Sequence, residues 1–479
     1  MKIVQIAAEM GPYVKVGGLG DVTSALTPAL AELGHKVHFF LPFYKALEKK
    51  GAKDLGVSVS VSIRGEIKKV GLWKLMHGDV NLILLREDGY FLRPGVYGER
   101  GEDYKDNLDR FVILCRASIE GMKALELSPD IVHSHDWHAA LTPVYLRTIS
   151  SKDFPKAATV LTIHNLGYQG LFDAAGWPTL GLPNELFTTA IMEFYGRINL
   201  LKGGMIFSDA ITVVSPTYAK EILTQESGFG LDGVLSDKKS NVHGILNGID
   251  VNEWNPRLDT LIPAKFDVKN LQGKARCKSE LQETFGLDKD PKSPVAGMIT
   301  RLVKQKGVDL LAEIIDEMVS LGIQIVILGT GENEYEEIVK KKVGIHAGRV
   351  GVKIAFDNKL AHLIEAGSDM FLMPSRYEPC GLNQMMSLMY GTVPVVRRTG
   401  GLSDTIHEFD PRTKKGNGFT FDEYSPGAFI ASVKRAVEIY RTPSLWKLLM
   451  KNGMTEDHSW ANAAQDYVSL YSKLLKKGK

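Results

Sequence analysis

The sequence predicts an α/β protein that contains two doubly wound, mostly parallel sheets. Two observations lead to this prediction: a length of 479 residues, and two separate series of short β-branched segments that alternate with longer amphipathic ones. Single hydrophobic cores stop growing at roughly 250–300 residues, so the length favours two domains. Strand-like segments separated by helix-length segments are typical of parallel sheets with crossover helices.

The first series of strand-like segments occupies the amino-terminal half. Its members are KIVQIAA, HKVHFFLP, VNLILL, DIVHSH, TVLTIH and AITVVS. One stretch, SVSVSIRGEIKKVGLWKLMHGDVNLILLRE, alternates residue by residue without a helix-length gap, which predicts an antiparallel excursion. From about residue 241 the chain becomes rich in Asn, Gly, Asp and Pro, which indicates a domain boundary.

The second series predicts a second doubly wound sheet. Its members are SPVAGMIT (293–300), IQIVILGTG (323–331), VKIAF (352–356), SDMFLMP (368–374) and TVPVVRR (392–398). The final segment, DHSWANAAQDYVSLYSKLLKKGK, has its apolar residues on one stripe and its lysines at the end, as an amphipathic helix prefers.

The composition argues against several classes of protein. With 58 basic and 56 acidic residues the formal charge is +2, which gives no electrostatic reason to expect nucleic acid or a membrane surface as a partner. No run approaches the roughly 18 apolar residues of a membrane helix. Three widely spaced cysteines and the lack of a signal-peptide pattern predict a cytoplasmic protein.

A glycine-rich stretch, KVGGLGD (15–21), follows the first predicted strand and opens a predicted helix that stops near Gly34. Free amides and the positive end of the dipole at a helix start favour an anion, and glycine lets an anion approach the backbone closely. Lys15 would add a charge beside Gly17 and Gly18. The alternative is a tight turn that only packs strand against helix.

Polar segments follow several predicted strands. They are HSHDWH, HNLGYQG, TRLVKQKG and SRYEPCGLNQ. Ligands of open α/β sheets bind at the carboxyl ends of the strands, so we expect one shared site where the strand ends of both domains face each other.

In HSHDWH, the spacing of His133, His135 and His138 allows a metal site. No second acidic or thiol cluster accompanies them, so the sequence favours packing histidines, and we predict neither a metal nor a cofactor. Asp136 could accept hydrogen bonds from sugar hydroxyls, or it could cap the following helix.

In TRLVKQKG, Arg301 offers a planar fork and Lys306 a compact charge, a pair suited to holding a diphosphate and neutralising it as it leaves. The alternative is a pair of solvated surface charges. In SRYEPCGLNQ, Glu378 could bind hydroxyls, while amides at the following helix start could face a phosphate. Cys380 lacks a nearby histidine to activate it, which favours a small filler over a nucleophile.

Taken together and in this order, the motifs resemble those of the bacterial glycogen synthases and the plant starch synthases. The motifs are KVGGLGDV, HSHDWH, TIHNLGYQG, ILNGID, TRLVKQKG, PSRYEPCGLNQMMSLMYGTVPVVRRTGGLSDT and SWANAAQDYVSLY. The resemblance covers nearly the whole chain and implies the glycosyltransferase B fold, in which two Rossmann-like domains face each other across a deep cleft. It implies domains at 1–250 and 251–455, and a helix at 456–479 that crosses back onto the first domain.

The resemblance also implies an activity: transfer of glucose from ADP-glucose to the non-reducing end of an α-1,4-glucan, with retention of configuration. Two alternatives stay open. One is a retaining transferase that uses UDP-glucose or a small-sugar acceptor, and the other is a catalytically silent glucan-binding relative. The sequence leaves the oligomeric state undetermined.

The resemblance assigns roles residue by residue. It implies catalytic roles for Arg301, Lys306, Glu378, His164 and Asp136, and contacts with the substrates for Lys15, Gly17, Gly18, Asn247, Phe356, Cys380, Gly381, Leu382, Thr399 and Glu9. Lys15 would contact the phosphates, Glu9 would face the acceptor and Phe356, where many relatives have tyrosine, would stack on the adenine. Broader retaining transferases carry a second glutamate eight positions after the first, where this chain has Met386.

No residue in these motifs is an evident general base. We therefore expect a front-face substitution, in which the leaving phosphate takes the proton of the acceptor while His164 and Glu378 hold the glucose. A covalent double displacement would need a carboxylate beneath the anomeric carbon, and Asp136 is the candidate.

Overall fold

The protein is described by a computed structural model that covers residues 1–99 and 101–477. The chain forms two compact units, Met1–Asn247 with Trp460–Lys479, and Gly248–Ser459. These boundaries differ by a few residues from 250 and 455. The reason is local: the N–H of Ile249 donates to the carbonyl of His458 at 2.8 Å, so the two connecting segments run together inside the second unit.

The strands of the first unit are β1 (Lys2–Ile6), β2 (Lys36–Pro42), β3 (Lys53–Ile63), β4 (Glu66–His77), β5 (Val80–Arg86), β6 (Gly98–Glu99), β7 (Glu102–Asp103), β8 (Ile131–His135), β9 (Ala158–Ile163), β10 (Leu171–Asp173), β11 (Glu193–Phe194), β12 (Arg197–Asn199), β13 (Ala210–Val213) and β14 (Val242–Gly244). Its helices include α1 (Gly18–Glu32), α2 (Asp88–Phe91), α3 (Asn107–Ala124), α4 (Asp136–Ala139), α5 (Leu141–Arg147), α6 (Trp177–Leu180), α7 (Leu200–Phe207), α8 (Pro216–Glu221) and α9 (Asp232–Asp237).

The main sheet of the first unit has nine strands in the order β14-β13-β9-β8-β1-β2-β5-β4-β3. The antiparallel excursion is confirmed, because β4 pairs antiparallel with both β3 and β5 while β5 pairs parallel with β2. Alternation explains it: Val59, Val61 and Ile63 are buried, while the residues between them are exposed. A smaller sheet, β10-β12-β11, was not predicted, because its strands have two or three residues each.

The second unit contains strands β15 (Val295–Ile299), β16 (Gln324–Leu328), β17 (Val350–Lys353), β18 (Met370–Met373), β19 (Val393–Arg397) and β20 (Phe419–Phe421). Its helices are α10 (Gln272–Thr284), α11 (Val308–Ser320), α12 (Asn333–Ile345), α13 (Asn358–Gly367), α14 (Asn383–Met389), α15 (Gly400–Thr405), α16 (Pro426–Tyr440) and α17 (Pro443–Met454).

All pairings in the six-stranded sheet of the second unit are parallel, in the order β17-β16-β15-β18-β19-β20. The second doubly wound sheet is therefore confirmed. Two details differ from the prediction: β17 ends at Lys353, so Phe356 lies beyond the strand, and β20 was missed.

The terminal helix α18 (Trp460–Lys477) belongs to the first unit, where it packs against α1. Its apolar stripe includes Tyr467 and Tyr471, both fully buried. Among the helices of residues 1–99 and 101–477, none combines the length and apolarity needed to cross a bilayer.

Candidate active site

Glu9 anchors the glycine-rich loop of the first unit. This buried carboxylate accepts hydrogen bonds from the N–H groups of Val16 at 2.6 Å and Gly17 at 3.0 Å, and from the hydroxyl of Tyr97 at 2.5 Å. Burial raises the pKa of Glu9, and these three donors oppose that increase. The Gly17 amide, which we expected at a phosphate, is therefore engaged by Glu9, because a buried carboxylate requires donors.

Lys15 lies at the start of this loop and pairs with Asp21, at 2.6 Å between Nζ and Oδ1. Gly20 packs closely on it: a Cβ there would lie 3.2 Å from the Cα, Cβ and Cγ atoms of Lys15. Gly18 begins α1 and faces open space, since a Cβ on it would meet no atom within 4 Å. The loop thus presents a cation beside accessible backbone, as an anion site requires.

Asp136 follows β8 with a φ of 55°, in the left-handed region that few residues other than glycine adopt. Its carboxylate accepts hydrogen bonds from the amides of His164, at 2.8 Å, and Asn165, which follow β9. The helix-cap alternative is therefore wrong, because the carboxylate bonds to the neighbouring strand end. Burial raises the pKa of Asp136 to about 7, and the negative charge of Glu9 adds to the increase.

Three histidines of these segments, His133, His135 and His164, make hydrogen bonds through their rings. The ring nitrogens of His133 contact the hydroxyls of Thr162 at 2.5 Å and Tyr471 at 2.7 Å, and Nδ1 of His135 lies 3.1 Å from Nε2 of His164. Burial lowers the pKa of His133 and of His164 to about 3, so both rings are neutral at physiological pH. Within the described ranges, no cluster of three potential metal ligands occurs.

His138 belongs to the aromatic core. Its ring stacks on Tyr97 at 4.7 Å and lies 4.7 Å from Phe111 and 4.0 Å from Trp137. Asn247 ends the first unit and is also buried, and its Oδ1 receives no hydrogen bond from the described residues. A buried amide oxygen that receives no hydrogen bond is a candidate contact for a ligand.

Asp136→Asn is expected to stabilise the protein progressively as the pH rises from 5 to 8. Because burial raises the pKa of Asp136 to about 7, the folded state binds its proton more tightly than the unfolded state. The free energy of unfolding of the wild type therefore falls between pH ~4 and ~7. Asparagine does not titrate and tolerates the left-handed backbone.

Melting temperatures of the Asp136→Asn variant and the wild type at pH 5, 6, 7 and 8 test this prediction. The free energy of unfolding of the variant should exceed that of the wild type by about 1–3 kcal/mol, and this difference should level off above about pH 7. A gain that is the same at every pH would contradict the assignment.

In the second unit, Lys306 is aligned by Glu378. The Nζ of Lys306 donates to Oε2 of Glu378 at 2.5 Å, and the hydroxyl of Ser375 donates to the same oxygen at 3.1 Å. Glu378 is buried and Lys306 is partly buried, while Arg301 is exposed two residues after β15. The alternative of two solvated charges is therefore wrong for Lys306, because its partner is a buried carboxylate.

Two glycines allow the loops of the second unit to meet. Gly307, at φ 73°, would place a Cβ 2.1 Å from the carbonyl oxygen of Pro374, and Gly400, at φ 43°, would place one 1.9 Å from that of Glu378. The N–H of Gly401 also donates to the Glu378 carbonyl, at 3.3 Å. The turn formed by Gly400 and Gly401 thus packs on the backbone of residues 378–381, the EPCG loop, where any side chain would collide.

The remaining predicted residues of the EPCG loop precede α14. Cys380 is buried, Gly381 adopts a φ of 71°, and both carbonyls accept hydrogen bonds from Nε2 of Gln384, at 3.2 and 3.1 Å. Leu382 immediately precedes α14, as buried Thr399 precedes α15. Phe356 is 84% exposed, which leaves its ring face available to a ligand.

The structure assigns the predicted residues to two groups. The first unit holds Glu9, Lys15, Gly17, Gly18, Asp136, His164 and Asn247, and the second holds Arg301, Lys306, Phe356, Glu378, Cys380, Gly381, Leu382 and Thr399. Sequence reasoning missed Tyr97, Asp21 and Ser375, which contact Glu9, Lys15 and Glu378, and Tyr471, which contacts His133. Ser375 lies within the quoted motif SRYEPCG, whereas Tyr97 and Tyr471 carry no local signal because their partners are 88 and 338 residues away.

Comparisons with known proteins agree with this architecture. Residues 2–237 match the family model of the starch synthase catalytic domain, and residues 280–447 match that of glycosyl transferases group 1. A glycogen synthase of Koribacter versatilis is 46% identical over 99% of this chain and 98% of its own length. One from Anaeromyxobacter dehalogenans is also 46% identical, over 99% of both chains.

Among solved structures, the catalytic domain of starch synthase IV from Arabidopsis thaliana, bound to ADP and acarbose, matches with a TM-score of 0.92. It is 35% identical and the match covers 99% of both chains. A sucrose-phosphate synthase from Thermosynechococcus elongatus shares the fold at 17% identity, with a TM-score of 0.60 over 99% of both chains. The chain is thus a glucan-forming glucosyltransferase of glycosyltransferase B fold, and it belongs to the glycogen and starch synthase family.

Proposed function

We propose that the protein transfers glucose from ADP-glucose to the non-reducing end of an α-1,4-glucan, with retention of the anomeric configuration. The alignment of Lys306 by buried Glu378, on the segment that follows β15 and also carries Arg301, is the observation that carries this proposal. The ADP bound to the related starch synthase supports the choice of nucleotide.

Departure of ADP is the demanding step of this reaction. The bond between the anomeric carbon and the phosphate oxygen breaks while negative charge accumulates on the diphosphate. Arg301 can hold two phosphate oxygens through its planar fork, and Lys306 retains donors beyond the one used by Glu378. In our proposal Lys15 exchanges Asp21 for the donor phosphates, and these cations stabilise the developing charge.

Retention follows from attack on the face that ADP leaves. The acceptor hydroxyl forms the new bond to the anomeric carbon, and its proton moves to an oxygen of the leaving phosphate. Neutral His164 and the carboxylate of Glu378 hold the glucose hydroxyls, and Asp136 and Asn247 complete the sugar pocket. Asp136 is held by the amides of His164 and Asn165, which favours a role in hydrogen bonding over one as a nucleophile.

Steady-state kinetics with ADP-, UDP- and GDP-glucose and labelled glycogen test the choice of donor. ADP-glucose should give the highest kcat/KM. A preference for UDP-glucose, or turnover with a small sugar but not with glycogen, would favour the alternative of a retaining transferase that uses UDP-glucose or a small-sugar acceptor. Glucan binding without turnover of any donor would identify a silent relative.

Phe356→Ala is expected to raise the KM for ADP-glucose about tenfold, with a smaller effect on kcat. The exposed ring would lose its stacking on the adenine, a contact worth on the order of 1 kcal/mol beyond the buried area. Phe356→Tyr, which keeps the ring, is the matched control and should stay close to the wild type. An unchanged KM in Phe356→Ala would contradict the assignment.

A further inference from the structure

Tyr195 occupies a position that its backbone and its environment both disfavour. It forms the turn between β11 and β12 with Gly196, and both residues have positive φ, 51° and 77°. Two-residue turns of this kind strongly prefer Asn-Gly, and a bulky residue there is strained. The Tyr195 side chain is nevertheless 84% exposed, so burial does not compensate for the strain. Residues with a strained backbone are common at ligand-binding sites, so an exposed tyrosine in this conformation indicates a ligand contact.

Phe229 repeats this pattern nearby. Its φ is 50°, it precedes Gly230 at φ 79°, and it is 38% exposed. Gly230 lies against the hairpin, because a Cβ on it would be 2.9 Å from Cζ of Phe194 and 3.7 Å from Cε2 of Tyr195. Two strained aromatic residues from distant parts of the sequence thus reach one surface.

The loop that follows His164 joins this surface to the candidate active site of the first unit. Nε2 of Gln169 donates to the carbonyl of Phe229 at 3.0 Å, and Oε1 of Gln169 accepts from Asn199 at 2.7 Å. Gln169 ends the TIHNLGYQ segment that begins beside His164, and its neighbour Tyr168 is 51% exposed. One short loop therefore connects the catalytic histidine to the exposed rings.

We propose that Tyr168, Tyr195 and Phe229, the aromatic platform, bind the acceptor glucan behind its reacting end by stacking on the apolar faces of its glucose rings. The inference rests on the glucan acceptor of the proposed function and adds a binding site for the chain beyond the glucose that reacts. A polymer extends past the reacting residue, and rigid aromatic side chains bind rings at low cost in conformational entropy. Binding energy from such remote units holds the acceptor in position for the reaction.

Tyr195→Asn is the sharpest test, because asparagine suits the turn while it removes the ring. Affinity electrophoresis in gels that contain glycogen but no nucleotide sugar measures glucan binding directly. The dissociation constant should rise about five- to tenfold, and further in Tyr195→Asn/Phe229→Asn. Tyr195→Phe, which keeps the ring, is the matched control and should bind nearly as the wild type does. Melting temperatures should show no loss of stability in Tyr195→Asn.

Kinetics with ADP-glucose then compare glycogen with maltotriose. The KM for glycogen should rise by the same factor as the dissociation constant, and the KM for maltotriose should rise much less. Unchanged glycogen binding in the double variant, an equal rise for both acceptors, or a change in oligomeric state on gel filtration would overturn the proposal. Because the gels contain no donor, ring-dependent glycogen binding without turnover of ADP-glucose would refute the proposed function alone.

Discussion

Replacing Arg301 by alanine is expected to lower kcat by about three powers of ten, while the KM for ADP-glucose changes by much less. The guanidinium would meet charge that is small in bound ADP-glucose and grows as the anomeric bond breaks, so its loss falls on the transition state. Removing one preorganised donor to a developing anion costs roughly 10²–10³ in other enzymes, and arginines at transferring phosphates contribute 10³–10⁵.

Arg301→Lys is the matched control for this prediction. It keeps the charge and loses the planar fork, so its kcat should fall between those of Arg301→Ala and the wild type. Initial rates at saturating glycogen with varied ADP-glucose separate kcat from KM. A raised KM with nearly normal kcat in Arg301→Ala would show that Arg301 only binds the donor.

Lys306→Met is expected to damage both the reaction and the fold. The reaction loses a cation at the leaving diphosphate, with a fall in kcat of about 10²–10³. In the folded variant the Glu378 carboxylate stays buried without the ammonium group of Lys306, while the hydroxyl of Ser375 still donates to it. Breaking a buried ion pair by removing one partner costs about 3–5 kcal/mol, so thermal unfolding should begin at a lower temperature.

A second substitution separates these two effects. In Lys306→Met/Glu378→Gln the buried charge is gone, and Ser375 can still donate to the amide oxygen. Stability should recover most of the loss, because replacing both members of a buried pair is often neutral. Activity should stay low. Recovery of kcat together with stability would mean that Lys306 acts only through the fold.

The fold was largely predictable because each main strand carries its own apolar signal. Both parallel sheets and the antiparallel excursion could be read from periodicity. The signal is absent in the two- and three-residue strands β10, β11 and β12, and in β20, where Phe419–Phe421 is too short to stand out. The predicted strand extended to Phe356 because the residues after Lys353 are also apolar, although β17 ends at Lys353.

The candidate site was predictable in its residue types and less so in its contacts. The family resemblance indicated Glu9, and the quoted motifs contain Asp136 and Glu378. Neither indicated that Glu9 bonds to the loop amides or that Asp136 adopts a left-handed backbone. Those features depend on close packing between segments far apart in sequence. The contact of Tyr471 with His133 spans 338 positions, a separation that no local pattern encodes.

The central claim is that glucose leaves its diphosphate by charge stabilisation, without attack by a protein carboxylate. Positional isotope exchange tests it most directly, using ADP-glucose with ¹⁸O in the bridge to the anomeric carbon and a maltooligosaccharide whose terminal 4-hydroxyl has been removed. We predict that label scrambles into the non-bridging phosphate positions with wild type and with Asp136→Asn, and that scrambling is lost in Arg301→Ala. Loss of scrambling in Asp136→Asn, with scrambling intact in Arg301→Ala, would contradict the account.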